Sequence, residues 1–196
     1  GITLNGNVSS TGTQTYGDAV TLAGDTTFTT SNDKLQFTST LAGAGSARNV
    51  VAALGTGEVQ FGGVATTNIG TLTITAGTFN QDAAITTAGA VSMNLSNAAT
   101  IAEDFTSGGT TAITVSADDA GAATFTLAAS KTLTSTSGAV TITADDMDIA
   151  GTAITATGQT VTLASNTASD ALNLGSTGTS TINTLELSEA ELDKVA

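Results

Sequence analysis

The 196-residue chain contains no proline, no cysteine, no tryptophan and no histidine, and only 4 lysines and arginines stand against 17 aspartates and glutamates. Each absence excludes something. Without histidine or cysteine there is no imidazole base, no thiol nucleophile, no zinc finger and no haem or iron–sulfur ligation. Four bases cannot make a phosphate-binding footprint, and a net charge of −13 repels DNA, RNA and anionic lipid, so no nucleic-acid partner is expected. No run approaches the ~18 consecutive apolar residues that a membrane-spanning helix needs. The opening GITLNGNV already alternates like a strand and shows no basic stretch followed by an apolar one. The chain therefore reads as a mature or excised segment, with any export signal of its parent lying outside it. Zero cysteine suits a protein secreted without disulfides, and equally many cytosolic ones.

What fills the chain instead is small. Thr, Ala, Gly and Ser make up about 58% of it, and 33 alanines inflate an apolar content of 40%. Leu, Ile, Val and Phe reach only about 21%, just above the composition at which a charged chain stays disordered. A single wide core is out of reach, but a long thin one is not.

The local signal is alternation at period 2. It recurs in Ile2-Thr3-Leu4, Val20-Thr21-Leu22, Leu35-Gln36-Phe37, Val59-Gln60-Phe61, Leu72-Thr73-Ile74, Val91-Ser92-Met93, Ile113-Thr114-Val115, Phe125-Thr126-Leu127, Val140-Thr141-Ile142 and Val161-Thr162-Leu163. Each triplet predicts a half-buried strand with the outer pair facing in and the middle residue facing out. The anchors Leu72, Val91, Ile113, Val140 and Val161 lie 19, 22, 27 and 21 residues apart. That spacing predicts a solenoid with irregular coils of about 20 residues. Helical repeats are excluded by the lack of 3.6-residue periodicity, leucine-rich repeats by the missing Leu/Asn consensus, and calcium-binding nonapeptides by the missing GGxGxD units. The fold expected is all-β, a parallel β-helix over 1–187, with nine or ten coils stacked at about 4.8 Å. Missing proline agrees, because almost every backbone N–H is needed by a neighbouring coil. Over 188–196, Ser188-Glu189-Ala190-Glu191 matches a capping box and predicts a short helical turn over about 188–195, or the start of a next repeat.

Thr13-Gln14-Thr15-Tyr16-Gly17-Asp18-Ala19-Val20-Thr21-Leu22, followed by Gly24-Asp25-Thr26-Thr27-Phe28-Thr29, resembles a block of giant repetitive bacterial exoproteins of the filamentous-haemagglutinin type. Leu35–Leu41, Val59–Val64 and the tail Leu187–Val195 resemble other recurrent elements of such proteins. The resemblance covers roughly residues 1–90 and the tail, and the middle matches in style only. It implies a right-handed β-helix, export to the Gram-negative cell surface or medium, and a structural or adhesive role. It carries over no functional residue.

Asp145, Asp146 and Asp148 form the sharpest acidic cluster, in TADDMDIAG. It is a candidate oxygen-ligand Ca²⁺ site, a candidate carboxylate pair for polysaccharide cleavage, or a solvated turn between coils, the reading preferred here. Asp118-Asp119 reads the same way. Lys34, Arg48, Lys131 and Lys194 are scattered, with no acidic cluster beside them in sequence to complete a lyase site. The pairs Thr71/Thr73/Thr75, Thr124/Thr126, Thr132/Thr134/Thr136, Thr141/Thr143 and Thr160/Thr162 face outward, as on some ice-binding β-helices, although unequal coil lengths argue against a flat array. One tyrosine and six phenylalanines are too few for a sugar- or base-stacking platform and read as core. Asn5, Asn7, Asn94, Asn97, Asn166 and Asn173 are candidates for side-chain amide ladders.

The function expected is a non-enzymatic shaft or spacer of a secreted, cell-surface adhesin-like exoprotein, without cofactor. The alternative is a self-assembling extracellular filament or matrix subunit. In either case the expected partners are neighbouring repeats or other copies, meeting at the exposed ends of the helix.

Overall fold

A computed structural model of the chain describes residues 1–63, 66–116, 123–167, 169–177 and 184–196. The apolar–small–apolar triplets become short strands, because a β-branched middle residue suits the open face of a sheet. Every strand pairing is parallel. The result is a β-solenoid of about 7 turns, with equivalent positions about 21 residues apart.

Three sheets line the solenoid. The first face stacks Ile2–Leu4, Val20–Leu22 and Leu41–Gly43. It continues across the Ala42–Thr67 bridge and the Ile69–Thr87 pairing into Ile85–Thr87, Phe105–Ser107, Thr132–Ser135 and Ala153–Ala156. The second face runs from Val8–Ser9 through Thr26–Thr29, Arg48–Ala53, Thr111–Val115 and Val140–Thr143 to Val161–Ala164. The third holds Gln14–Tyr16, Leu35–Phe37, Glu58–Phe61, Thr124–Leu127 and Asp146–Ile149. Two long strands, Ile69–Gln81 and Val91–Ile101, serve the second face with their first halves and the third face with their second halves. They turn the corner at a register shift between Ala76 and Thr78.

The core is a set of columns rather than a centre. On the third face Phe79 lies opposite Ala99, and Ala99 opposite Phe125, so a small side chain separates two large ones. All three are fully buried. Near the other end Tyr16, Phe37 and Phe61 stack, with ring centroids 5.1 and 5.4 Å apart and planes within 12° and 24° of parallel. Phe28 meets Phe37 edge-on at 5.3 Å. The phenylalanines therefore sit where core packing was expected.

One corner of the interior is polar. Thr87, Ser107 and Ser135 stack in register between the first and second faces. Thr87 Oγ1 donates to the Gly89 carbonyl at 2.9 Å, and both Ser107 Oγ and Ser135 Oγ donate to the Gly109 carbonyl, at 2.8 and 2.7 Å. Hydroxyls, rather than apolar side chains, thus occupy this corner. Glycine is obligatory nearby: a Cβ on Gly108 would lie 2.1 Å from the Ala88 carbonyl oxygen of the previous coil.

The structure revises the expected count and spacing. There are about seven turns, not nine or ten, because the chain leaves the regular progression after Ala164. Ala171–Leu174 and Thr184–Leu187 form a separate two-stranded parallel sheet. The anchor opposite Val91 is Thr111, and Ile113 lies opposite Met93. The true second-face intervals from Leu72 are thus 19, 20, 29 and 21 residues. A buried Thr111, whose hydroxyl lies 2.5 Å from Ser107 Oγ, hides the rung from an apolar pattern. The slip is two residues, so it leaves every side chain on its expected face. Most of the long interval arises between the second and third faces: Val115 and Thr124 lie 9 positions apart, while their partners Leu95 and Ala98 lie 3 apart.

The C-terminal helix spans Glu189–Leu192, shorter than expected, and its capping box is formed. Ser188 N donates to Glu191 Oε2 at 2.9 Å, and Glu191 N to Ser188 Oγ at 3.3 Å. Glu191 also accepts from Ile149 N at 3.2 Å, and Val195 bridges to Ile154. The tail is thereby fastened to the last coil.

Candidate functional site

The outward side chains carry whatever chemistry this fold offers. Asp146 and Asp148 sit two residues apart on the outer side of Asp146–Ile149, because Met147 and Ile149 take the inward positions. Their lateral neighbours are Thr124 and Thr126. Asp145 lies in the bend that precedes the strand and is half-buried. Among the described residues, no three acidic side chains are grouped closely enough to hold a metal ion. Asp118 and Asp119 lie outside the described residues.

Most of the acidic and amide side chains with visible partners bind one coil to the next. Asn49 N donates to Asp25 Oδ1 at 2.9 Å and Asn49 Nδ2 to Asp25 Oδ2 at 3.0 Å. One coil further on, Thr71 N and Thr71 Oγ1 donate to Asn49 Oδ1 at 2.9 and 3.0 Å. A second chain of bonds runs from Gln36 Nε2 to Gln60 Oε1 at 2.8 Å and from Gln60 Nε2 to Asp82 Oδ2 at 2.6 Å. Asp104 Oδ1 accepts from both Thr132 N and Thr132 Oγ1 at 2.9 Å. Two of the four bases also bridge coils, Lys34 to Glu58 at 3.4 Å and Lys131 to Glu103 at 2.5 Å. The hydrogen bond that Lys131 donates to Glu103 raises the Lys131 pKa above its usual value.

Of the asparagines expected to form ladders, Asn7 accepts from Thr27 N at 2.9 Å and Asn97 donates to Thr78 Oγ1 at 3.3 Å. The longer ladders are built by Asn49, Gln36 and Gln60, which pattern reading missed. Their signal is a recurrence of polar side chains at 22 to 24 residues, visible only once the coil register is known.

The paired threonines are shared among the faces. Thr73, Thr75, Thr141, Thr143 and Thr162 lie on the second face, Thr124 and Thr126 on the third, and Thr132 and Thr134 on the first. From Leu72 onward unequal coils do not disturb the second face, where loops absorb the difference and the strands stay in register. Its two outward columns are nevertheless interrupted: Val51, Ser92 and Ala112 break one, and Ala53, Asn94 and Ala164 the other.

At the C-terminal end an open depression is lined by Gly175, Ser176, Ser188, Glu189 and Asp193. No helix among the described residues is long and apolar enough to cross a membrane. No protein-family model, curated protein or solved structure matches the chain.

Proposed function

We propose that the chain is a non-enzymatic structural shaft or spacer of a secreted, cell-surface adhesin-like bacterial exoprotein, and that its task is mechanical. The observation that carries this reading is how the carboxylates and amides are used. Asp25, Asn49, Gln60, Asp82 and Asp104 all form hydrogen bonds to neighbouring coils, the three aspartates as acceptors. Together with three parallel backbone ladders they bind a stack roughly 34 Å long, at about 4.8 Å per turn. Small outward side chains clothe the sheets, and acidic groups at the coil corners favour solubility. The sequence resemblance to filamentous-haemagglutinin-type exoproteins points to the same role and to the cell surface.

A spacer is defined by its length rather than by its outward residues. Replacing the segment within its exoprotein by an unrelated β-solenoid of equal length should leave surface display and adhesion unchanged, while deleting it should impair them. Loss of adhesion with the length-matched replacement would show that this segment carries a specific binding site.

A further inference from the structure

Among the described residues of this segment, the outermost strand on the side of the third face is Gln14–Tyr16 at one end and Ala171–Leu174 at the other. At the C-terminal end Thr184–Leu187 lies beside Asp146–Ile149. The outer strand Ala171–Leu174 pairs with it in parallel, Leu172 opposite Leu185 and Leu174 opposite Leu187. Leu185 and Leu187 are buried, at 0 and 1% exposure, whereas Leu172 and Leu174 are 51% and 57% exposed. They are the only large apolar side chains so exposed among the described residues. The two leucines extend a core column by one layer that no described residue covers. At the N-terminal end the third face starts with Gln14–Tyr16, where Gln14 and Tyr16 point inward and Thr15 outward. Tyr16 is the first ring of the aromatic stack, and among the described residues only one side of it stacks on another coil.

We propose that a second copy of this chain docks end to end, its Gln14–Tyr16 strand adding in parallel to the open edge of Ala171–Leu174. Leu172 then covers Gln14, and Leu174 covers Tyr16. Three observations favour a second copy over an unrelated peptide. The inward residues are in phase, with Gln14 and Tyr16 matching Leu172 and Leu174, and Thr15 matching Asn173. The contact continues the parallel coil-on-coil interface that recurs throughout the chain. Residues 1–17 carry no charged side chain and Asp18 is the one charged side chain of the first coil, so Asp170, Glu186, Glu189 and Asp193 meet little like charge in the incoming coil. Exposed strand edges of this kind are templates for pairing. A head-to-tail contact that does not close generates a filament. The inference goes beyond the shaft reading, which stands for a monomeric rod as well.

The chain has no cysteine, so register can be tested directly. Thr15→Cys and Asn173→Cys are both exposed and neither disturbs the core. Mixed under mild oxidation, the two variants should form a mixed disulfide dimer well above the level either forms with itself. Sedimentation of the unaltered chain should show its mass rising with concentration, and more so at higher salt, because each copy carries −13. Leu174→Lys, at a position exposed in the single chain, should weaken association by about tenfold or more while leaving the circular dichroism spectrum unchanged. A mass that stays at 19.0 kDa at every concentration would overturn the proposal. Association that survives Leu174→Lys without the mixed disulfide would overturn it too, by placing the contact on another surface.

Discussion

Phe37 shows how much a single side chain carries in a core this thin. It is stacked between Tyr16 and Phe61 and touched edge-on by Phe28. Phe37→Ala should lower stability by about 3–5 kcal/mol in denaturant unfolding, because neither adjacent coil can close the gap. Gly108→Ala tests the opposite fault. Its Cβ would collide with the Ala88 carbonyl, and the forced separation of two coils should cost about 1–3 kcal/mol in the same measurement. Burial raises the Tyr16 pKa above its ordinary value. The folded state therefore holds that proton more tightly, so stability is complete below the unfolded-state pKa of ~10 and declines as pH rises through the folded one. A phenolate absorbance titration should find Tyr16 ionising later in the folded chain than in denaturant. These inward positions were legible in the sequence, because apolar residues flanking a small one specify direction. The stacking of Tyr16 on Phe37 was not, because it joins residues 21 positions apart.

At the scale of elements, the strands followed directly from the triplets, while the register followed only in part. Thr111 shows why: a buried threonine satisfied by Ser107 reads like an exposed one. The polar ladders were hidden for the same reason, since Asp25, Asn49 and Thr71 are distant in sequence and become neighbours only when coils are stacked. Asn49→Ala should cost about 1 kcal/mol by removing the shared partner of two coils. The capping box was visible as four consecutive residues. Its second duty was not, because Glu191 also accepts from Ile149 N across 42 positions. Glu191→Ala should therefore loosen the tail, costing about 1 kcal/mol for the cap and speeding hydrogen exchange at Ile149.

Across the whole molecule, composition and coil spacing point to the same architecture. A chain with few large apolar residues can be stable if each one is used twice, against the coil below and the coil above. The Phe79–Ala99–Phe125 column is the local form of that economy. The acidic triplet illustrates the limit of sequence reading. Asp145, Asp146 and Asp148 are adjacent in the chain, but only the fold shows that Asp146 and Asp148 lie on a strand and Asp145 in the bend before it. The role of a shaft rests on nearest-neighbour stacking, which makes stability a sum over coils and their interfaces. Pulling a single chain by its two ends tests that most directly. The account predicts that a measurable force is needed, and that extension proceeds in steps matching one coil of about 21 residues. Extension at negligible force, as for an unstructured chain, would contradict it.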